Sequence, residues 1–447
     1  MSTSLKPEAT QALLVKVREA NRRFAQQHAG DVAARQPVHT VYGGAHLFKA
    51  DLAGKLGGIA IKFLREYLPD PETLSAALGL HENASRVHER IVEKLMREPV
   101  EDLRCDFEDG YGNRPDAEED AHAREAALEM ARGMAEQTLP PFIGIRIKSF
   151  SDELLPRAVR TLDLFVTTLL SASGGRLPAN FVVTLPKVNL AEQVRTLAAL
   201  LAMLEEANGL SRGALKLEIM IETPQAVIAP DGSVPLRALV SAADGRCVAA
   251  HFGTYDYTAS LDITAAVQSM AHPACDFAKS VMQVALAGTG VALSDGATTR
   301  LPIAKHKAAT GVPLTPVQFA ENRAVVHAAS RLHFEDVRRS LRDGFYQGWD
   351  LHPAQLVTRY AAVASFFLEG QDAASRRLQN FVEKAAQATL SGDAFDDAAT
   401  GQGLLNFFLR GVNCGALTEA DALATGLTLD ELRGKSFVKL VAGRRAK

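Results

Sequence analysis

Eight short β-type runs, each followed by a helical stretch, recur between about Val38 and His352, and no other feature narrows the possible folds so far. The runs are 38–42, 100–106, 142–148, 181–185, 215–221, 247–252, 291–293 and 344–351. In the fifth, Leu217, Ile219 and Ile221 alternate with Lys216, Glu218 and Met220, and the run stops at Thr223-Pro224. Thr223 suits the cap of a following helix and Pro224 its first position. Strands alternating with helices in this way build either a closed (β/α)8 TIM barrel or a doubly wound open sheet. Polar residues stand at the carboxyl ends of so many successive strands that the barrel is the expected architecture, because its βα loops converge on one mouth.

Three regions are expected. An N-terminal helical arm takes residues 1–37, where Leu13, Leu14, Val17, Ala20 and Phe24 fall at near-helical spacing; the catalytic barrel takes 38–358; a C-terminal helical extension or lid takes 359–447. With 47% apolar side chains in 447 residues, the chain can bury a large core. A net charge of −3, from 49 basic and 52 acidic residues, provides no field to gather nucleic acid or an anionic membrane, and neither is expected as a partner. The cysteines Cys105, Cys247, Cys275 and Cys414 lie far apart with no Cys-x-x-Cys pair, which suggests neither a zinc site nor a disulfide framework. No leader pattern and no apolar run of membrane length is visible, so the expected location is the cytoplasm.

The strand ends carry the chemistry. Asp106, Glu108 and Asp109 crowd one turn, and like charges this close are costly unless a cation or a proton offsets them. Arg146 stands near the end of the third run, with alternation setting it opposite Ile145 and Ile147. Pro186-Lys187 closes the fourth, and Asn189 with Glu192 offers a reciprocal cap for the next helix. Glu222 falls at the carboxyl end of the fifth strand, where α/β folds place their chemistry, although a solvated turn carboxylate would read the same. Asp256 holds the corresponding place in Gly253-Thr254-Tyr255-Asp256-Tyr257. After the seventh run, Ser294-Asp295-Gly296 reads as a turn, and the eighth leads into His352-Pro353-Ala354-Gln355.

In order and spacing these strand ends resemble the HpcH/HpaI aldolase and citrate lyase β-subunit family, within the pyruvate/phosphoenolpyruvate-binding barrels, over roughly Tyr42 to Gln355. The resemblance implies that Glu222 and Asp256 hold Mg²⁺ (or Mn²⁺), a cation that takes oxygen ligands and is typically bound by one or two carboxylates with substrate and water completing the shell. It implies that Arg146 faces the substrate's carboxylate or enolate oxygen, that Gly253 and Thr254 help bind the substrate, and that Asp106, Glu108 and Asp109 orient metal-bound waters or the arginine. The chain departs from the aldolase branch at Asp109, where that branch has a histidine base, and so looks more like the citrate lyase branch. In malyl-CoA-type relatives a carboxylate from a C-terminal lid completes the site, and Asp393, Asp396 and Asp397 are the counterparts on offer here.

The expected function is a Mg²⁺-dependent carbon–carbon lyase or aldolase acting on a small 2-oxo or 3-hydroxy acid, free or as a CoA thioester, in a homo-oligomer. Two alternatives stand beside it. A phosphoenolpyruvate-using phosphotransferase or mutase would need a phosphoryl carrier, for which His46 and His352 are the candidates. A non-catalytic metabolite-binding subunit would keep the barrel without turnover.

Overall fold

The computed structural model describes residues 7–28, 35–308, 313–383, 389–391, 394–396 and 398–433 of the chain. Eight parallel strands close in sequence order: β1 (His39–Gly44), β2 (Asp102–Asp106), β3 (Phe142–Arg146), β4 (Phe181–Leu185), β5 (Lys216–Ile221), β6 (Cys247–Phe252), β7 (Ala292–Ala297) and β8 (Gln347–Asp350). β8 returns to β1 with Gly348 opposite His39, so the fold is the (β/α)8 barrel and not the open sheet.

Period-two alternation divides each strand between two environments. Leu103, Cys105, Ile145, Val183, Leu185, Leu217, Ile219 and Ile221 are fully buried in the shell between strands and helices. The intervening side chains turn inward and bond to one another: Arg104 Nε on β2 donates across the barrel to Glu218 Oε1 on β5 at 2.8 Å, His251 Nε2 on the adjacent β6 lies 3.0 Å from Glu218 Oε2, and Gln347 Nε2 on β8 donates to Thr40 Oγ1 on the adjacent β1 at 2.9 Å. A polar barrel interior explains why the strands alternate instead of reading as the unbroken apolar runs common in parallel sheets.

β7 is longer than the run 291–293, since the expected turn Ser294-Asp295-Gly296 is part of the strand. Asp295 is tolerated there because Lys279 Nζ and Ser340 Oγ donate to its Oδ2 at 3.0 and 2.6 Å. At the end of β8, Asp350 accepts from His333 on the helix Pro316–Arg342 (3.0 Å) and from Arg359 Nη2 on the helix Pro353–Glu383 (2.8 Å), tying both helices to the strand. That last helix runs without a break through residue 358.

At the amino end of the chain, the helix Pro7–Gln27 leaves Leu13, Val17 and Phe24 exposed. Of the C-terminal carboxylates, Asp393 and Asp397 lie outside the described residues, and Asp396 is placed only as the last residue of a strand paired antiparallel with Thr389–Ser391. No described helix is long and apolar enough to cross a membrane.

Candidate active site

Strand register builds the first half of the site. Asp106 pairs with Arg146 across β2 and β3, which brings two inward side chains of adjacent strands together. Arg146 Nε and Nη2 donate to Asp106 Oδ1 and Oδ2 at 2.7 and 2.6 Å, while Nη1 faces Glu108 Oε2 at 3.2 Å. The rings of Tyr42 and Trp349 lie against the guanidinium at 4.6 and 5.8 Å. A planar cation so clamped has one orientation. Asp106 also folds the acidic turn back over itself, accepting from Glu108 N at 3.0 Å and from Gly110 N at 2.7 Å.

The second half is built at β5 and β6. Glu222, one residue beyond β5, is 1% exposed and accepts a hydrogen bond from Lys187 N at 2.6 Å. Lys187 adopts a left-handed backbone, φ 49°, which turns its N–H toward that carboxylate. The pairing of Ile221 with Phe252 sets Gly253 beside Glu222. A Cβ on Gly253 would stand 2.4 Å from Glu222 Cβ and Oε2, so only glycine admits the buried carboxylate here. Asp256 lies in the first turn of the helix Thr254–Ala259 and is partly exposed.

Lys187 joins the halves. Its Nζ pairs with Glu108 and stands 3.2 Å from Asp109 Oδ2 and 3.5 Å from Asp256 Oδ2. Burial and the neighbouring Asp256 push the Glu222 carboxyl up to about 8, against the pull of Lys187 and Arg146. Burial likewise raises Glu108, with Arg146 and Lys187 opposing. Glu222, Asp256 and Lys187, with Ser149, Ser151 and Asn189, line a cavity of about 260 Å³ at the barrel mouth.

The remaining sequence candidates differ in how they stand to this cavity. Arg146 and Asp106 are buried beneath the mouth, and Glu108 and Asp109 reach it through Lys187. Thr254 is buried, and its Oγ1 has no hydrogen-bond partner among the described residues. His46 packs beside Tyr111 and His122, and His352 Nδ1 accepts from Ala354 N at 3.2 Å; neither lines the mouth cavity. Thr223 does not cap the following helix, since its Oγ1 donates to Val188 O at 2.9 Å. The reciprocal cap after β4 uses Gln193 Oε1, which accepts from Asn189 N at 2.8 Å, in place of Glu192. Lys187, which joins the two halves of the cluster, has no role in the sequence reading, although Pro186-Lys187 directly after a strand was its signal.

Among the described residues no group of three His, Cys, Asp or Glu side chains is arranged to hold a metal. The donor set is the carboxylate pair Glu222 and Asp256, which suits Mg²⁺ or Mn²⁺ with substrate and water as further ligands. Burial first, and then the Asp256 charge, raise the Glu222 carboxyl, and a cation beside the pair would offset both. These residues therefore fit a divalent ion.

A family profile described as a domain of unknown function, DUF6986, matches residues 17–440. No curated protein matches the sequence. Among solved structures, a citrate lyase from Burkholderia xenovorans LB400 is 18% identical, covering 89% of this chain and 97% of its own, with a TM-score of 0.57. The malate synthase of Haloferax volcanii, as its lead(II) complex, is 14% identical, covering 92% and 98%, with a TM-score of 0.47. An HpcH/HpaI aldolase/citrate lyase family protein from Burkholderia cenocepacia J2315 is 12% identical, covering 77% and 95%, with a TM-score of 0.38. The resemblance read from the strand ends is thus met by the likeness to the first of these, at the level of the fold.

Proposed function

The chain belongs to the DUF6986 family, and we propose that it is a divalent-cation-dependent carbon–carbon lyase or aldolase acting on a small 2-oxo or 3-hydroxy acid, free or as a CoA thioester. The observation that carries this reading is the buried Glu222 beside Asp256 at the barrel mouth, a carboxylate pair whose electrostatic cost a cation would relieve. A Mg²⁺ or Mn²⁺ ion held by Glu222 and Asp256 would supply a Lewis acid for the substrate's carbonyl oxygen.

The chain's own residues do the rest. Ser149, Ser151 and Asn189 offer neutral hydrogen-bonding groups to a small carboxylate entering the cavity. In this reading the Arg146 guanidinium, oriented by Asp106 beneath the mouth, stabilises the negative charge that grows as the carbon–carbon bond breaks. Glu108, paired with Lys187 and facing Arg146 Nη1, in the same reading takes the proton of the substrate hydroxyl, the electrons of the breaking carbon–carbon bond pass to the enolate, and the acid returns the proton to the enolate carbon. Lys187 holds Glu108 and Asp109 together and balances their charge.

The testing experiment incubates the protein with Mg²⁺ and a panel of small acids: oxaloacetate, malate, citramalate, 4-hydroxy-2-oxo acids, their CoA thioesters, and phosphoenolpyruvate with and without a nucleotide. Release of pyruvate, glyoxylate or an acetyl thioester, abolished by chelation and by Glu222→Gln, is the expected result. Turnover of phosphoenolpyruvate alone would favour a phosphotransferase. Ligand stabilisation without product would favour a binding subunit.

A further inference from the structure

A larger cavity lies at the opposite end of the barrel from the mouth. It measures about 500 Å³ and is bounded by the first residues of the strands, among them Phe181, Lys216 and Gln347. Leu409, Arg410 and Asn413 of the helix Ala398–Asn413 also line it. A TIM barrel normally fills its interior with layers of side chains. Here Val182, Ala249 and Ala292 are the inward residues near several strand starts, and they are too small to meet across the axis. Arg104, bonded to Glu218 and paired with Asp102, lines the inner wall.

The chamber's charge balance is unlike that of the mouth. Arg104 has its two carboxylates, but the Lys216 side chain makes no hydrogen bond or ion pair with any described residue. Arg410 stacks over the Tyr346 ring at 4.0 Å and donates to Gln36 Oε1 at 3.0 Å, with no carboxylate partner among the described residues. Two cations without a carboxylate partner among the described residues therefore stand in a wall that also carries the Arg104 cluster and several amide side chains, with Phe142, Phe181 and Phe367 as its aromatic surfaces. The rim is exposed at Asn180, Ala287 and Gly344, which gives a route in from solvent. Partly buried cations favour an anionic partner, and apolar walls favour an apolar body. A volume of about 500 Å³ lies inside the range of roughly 300–1,000 Å³ that holds small organic ligands.

We propose that this amino-end chamber is a second binding site, distinct from the mouth, for a small organic monoanion with an apolar body, such as an aryl or medium-chain carboxylate. The anion's charge is met by Lys216 and Arg410, and its body lies against the phenylalanine wall. The two ends differ in the ligand they take: the mouth, with its carboxylates, binds a cation and a compact polar acid, whereas the chamber binds an amphipathic anion without metal.

The test uses the full-length protein with benzoate and octanoate as probes and benzamide as the neutral control, read by calorimetry and thermal shift in the presence of a chelator. One carboxylate is expected to bind in one-to-one stoichiometry and raise the melting temperature, with benzamide without effect. Lys216→Met and Arg410→Met should each weaken that binding about tenfold or more, a change of about 1.4 kcal/mol or more. Glu222→Gln should leave it within about twofold, a change of less than about 0.5 kcal/mol. Should a charge variant fold poorly, a crystal soaked with 4-bromobenzoate answers the same question, because bromine density belongs in the chamber. The proposal is overturned if neither carboxylate binds at millimolar concentration, if benzamide binds as well as benzoate, if Glu222→Gln abolishes binding that Lys216→Met keeps, or if bromine appears only at the mouth.

Discussion

Arg146 and Asp106 are joined by two parallel hydrogen bonds, Nε to Oδ1 at 2.7 Å and Nη2 to Oδ2 at 2.6 Å, because their strands place them in register. The clamp uses one edge of the guanidinium and leaves Nη1 directed at the acidic turn. A lysine has the charge without the fork, and its point ammonium cannot satisfy both Asp106 oxygens and face the substrate together.

Arg146→Lys is therefore expected to keep metal binding and lose at least about a hundredfold in kcat/KM, which is roughly 2.7 kcal/mol of transition-state stabilisation. Metal titration and steady-state kinetics on the one variant check both halves. Activity within about twofold of wild type would remove Arg146 from the substrate-facing role.

Glu222 sets a pH slope on stability when metal is withheld. Its folded pKa of about 8 lies above the ordinary carboxyl value of 4.5, so the folded state binds the proton more tightly than the unfolded chain. The stability it contributes is complete below about pH 4.5 and is lost as pH rises through about 8. Denaturant unfolding with a chelator present, from about pH 5 to about pH 9, should show that decline in wild type and a flatter profile in Glu222→Gln. The same decline in both proteins would assign the titration to another group.

The Lys187 ammonium stands 3.5 Å from Asp256 Oδ2, one of the two carboxylates proposed to hold the ion. Removing that charge should strengthen Mg²⁺ binding by about tenfold, or about 1.4 kcal/mol, and still impair turnover because Glu108 and Asp109 lose their common partner. Calorimetric titration of Lys187→Met with Mg²⁺ is the measurement. Unchanged or weaker binding would mean that the ammonium supports the ion and does not compete with it.

The barrel was legible because its strands obey one rule: Leu217, Ile219 and Ile221 go outward while Glu218, Met220 and Glu222 go inward, and such alternation is written in neighbouring residues. Contacts made across the barrel were not. Lys187 reaches Glu108 and Asp109 from 79 and 78 residues away, so its role depends on the order of strands around the axis. Asp295 misled for the same reason, since a buried aspartate reads as a turn until Lys279 and Ser340 are known to hold it. The amino-end chamber arises from what the small residues Val182, Ala249 and Ala292 fail to fill, and no local pattern records an empty space.

The barrel's central ion cluster should be more valuable intact than any of its parts. Arg104 is 2% exposed, pairs with Asp102 and holds both oxygens of Glu218, whose Oε2 also faces His251 Nε2 at 3.0 Å. Burial raises the Asp102 carboxyl even with the arginine beside it. Arg104→Met would leave two carboxylates without their cation in a low-dielectric interior, and the expected loss is about 3–5 kcal/mol at neutral pH. Part of that loss should be recovered in mildly acidic buffer, where the stranded carboxyl groups take up protons. Adding Asp102→Leu and Glu218→Leu to the same chain should restore most of the stability, because the desolvation cost disappears with the charges. Denaturant unfolding of the single and triple variants at two pH values reads all three effects; a single variant within about 1 kcal/mol of wild type at neutral pH would show that the pairing contributes nothing net.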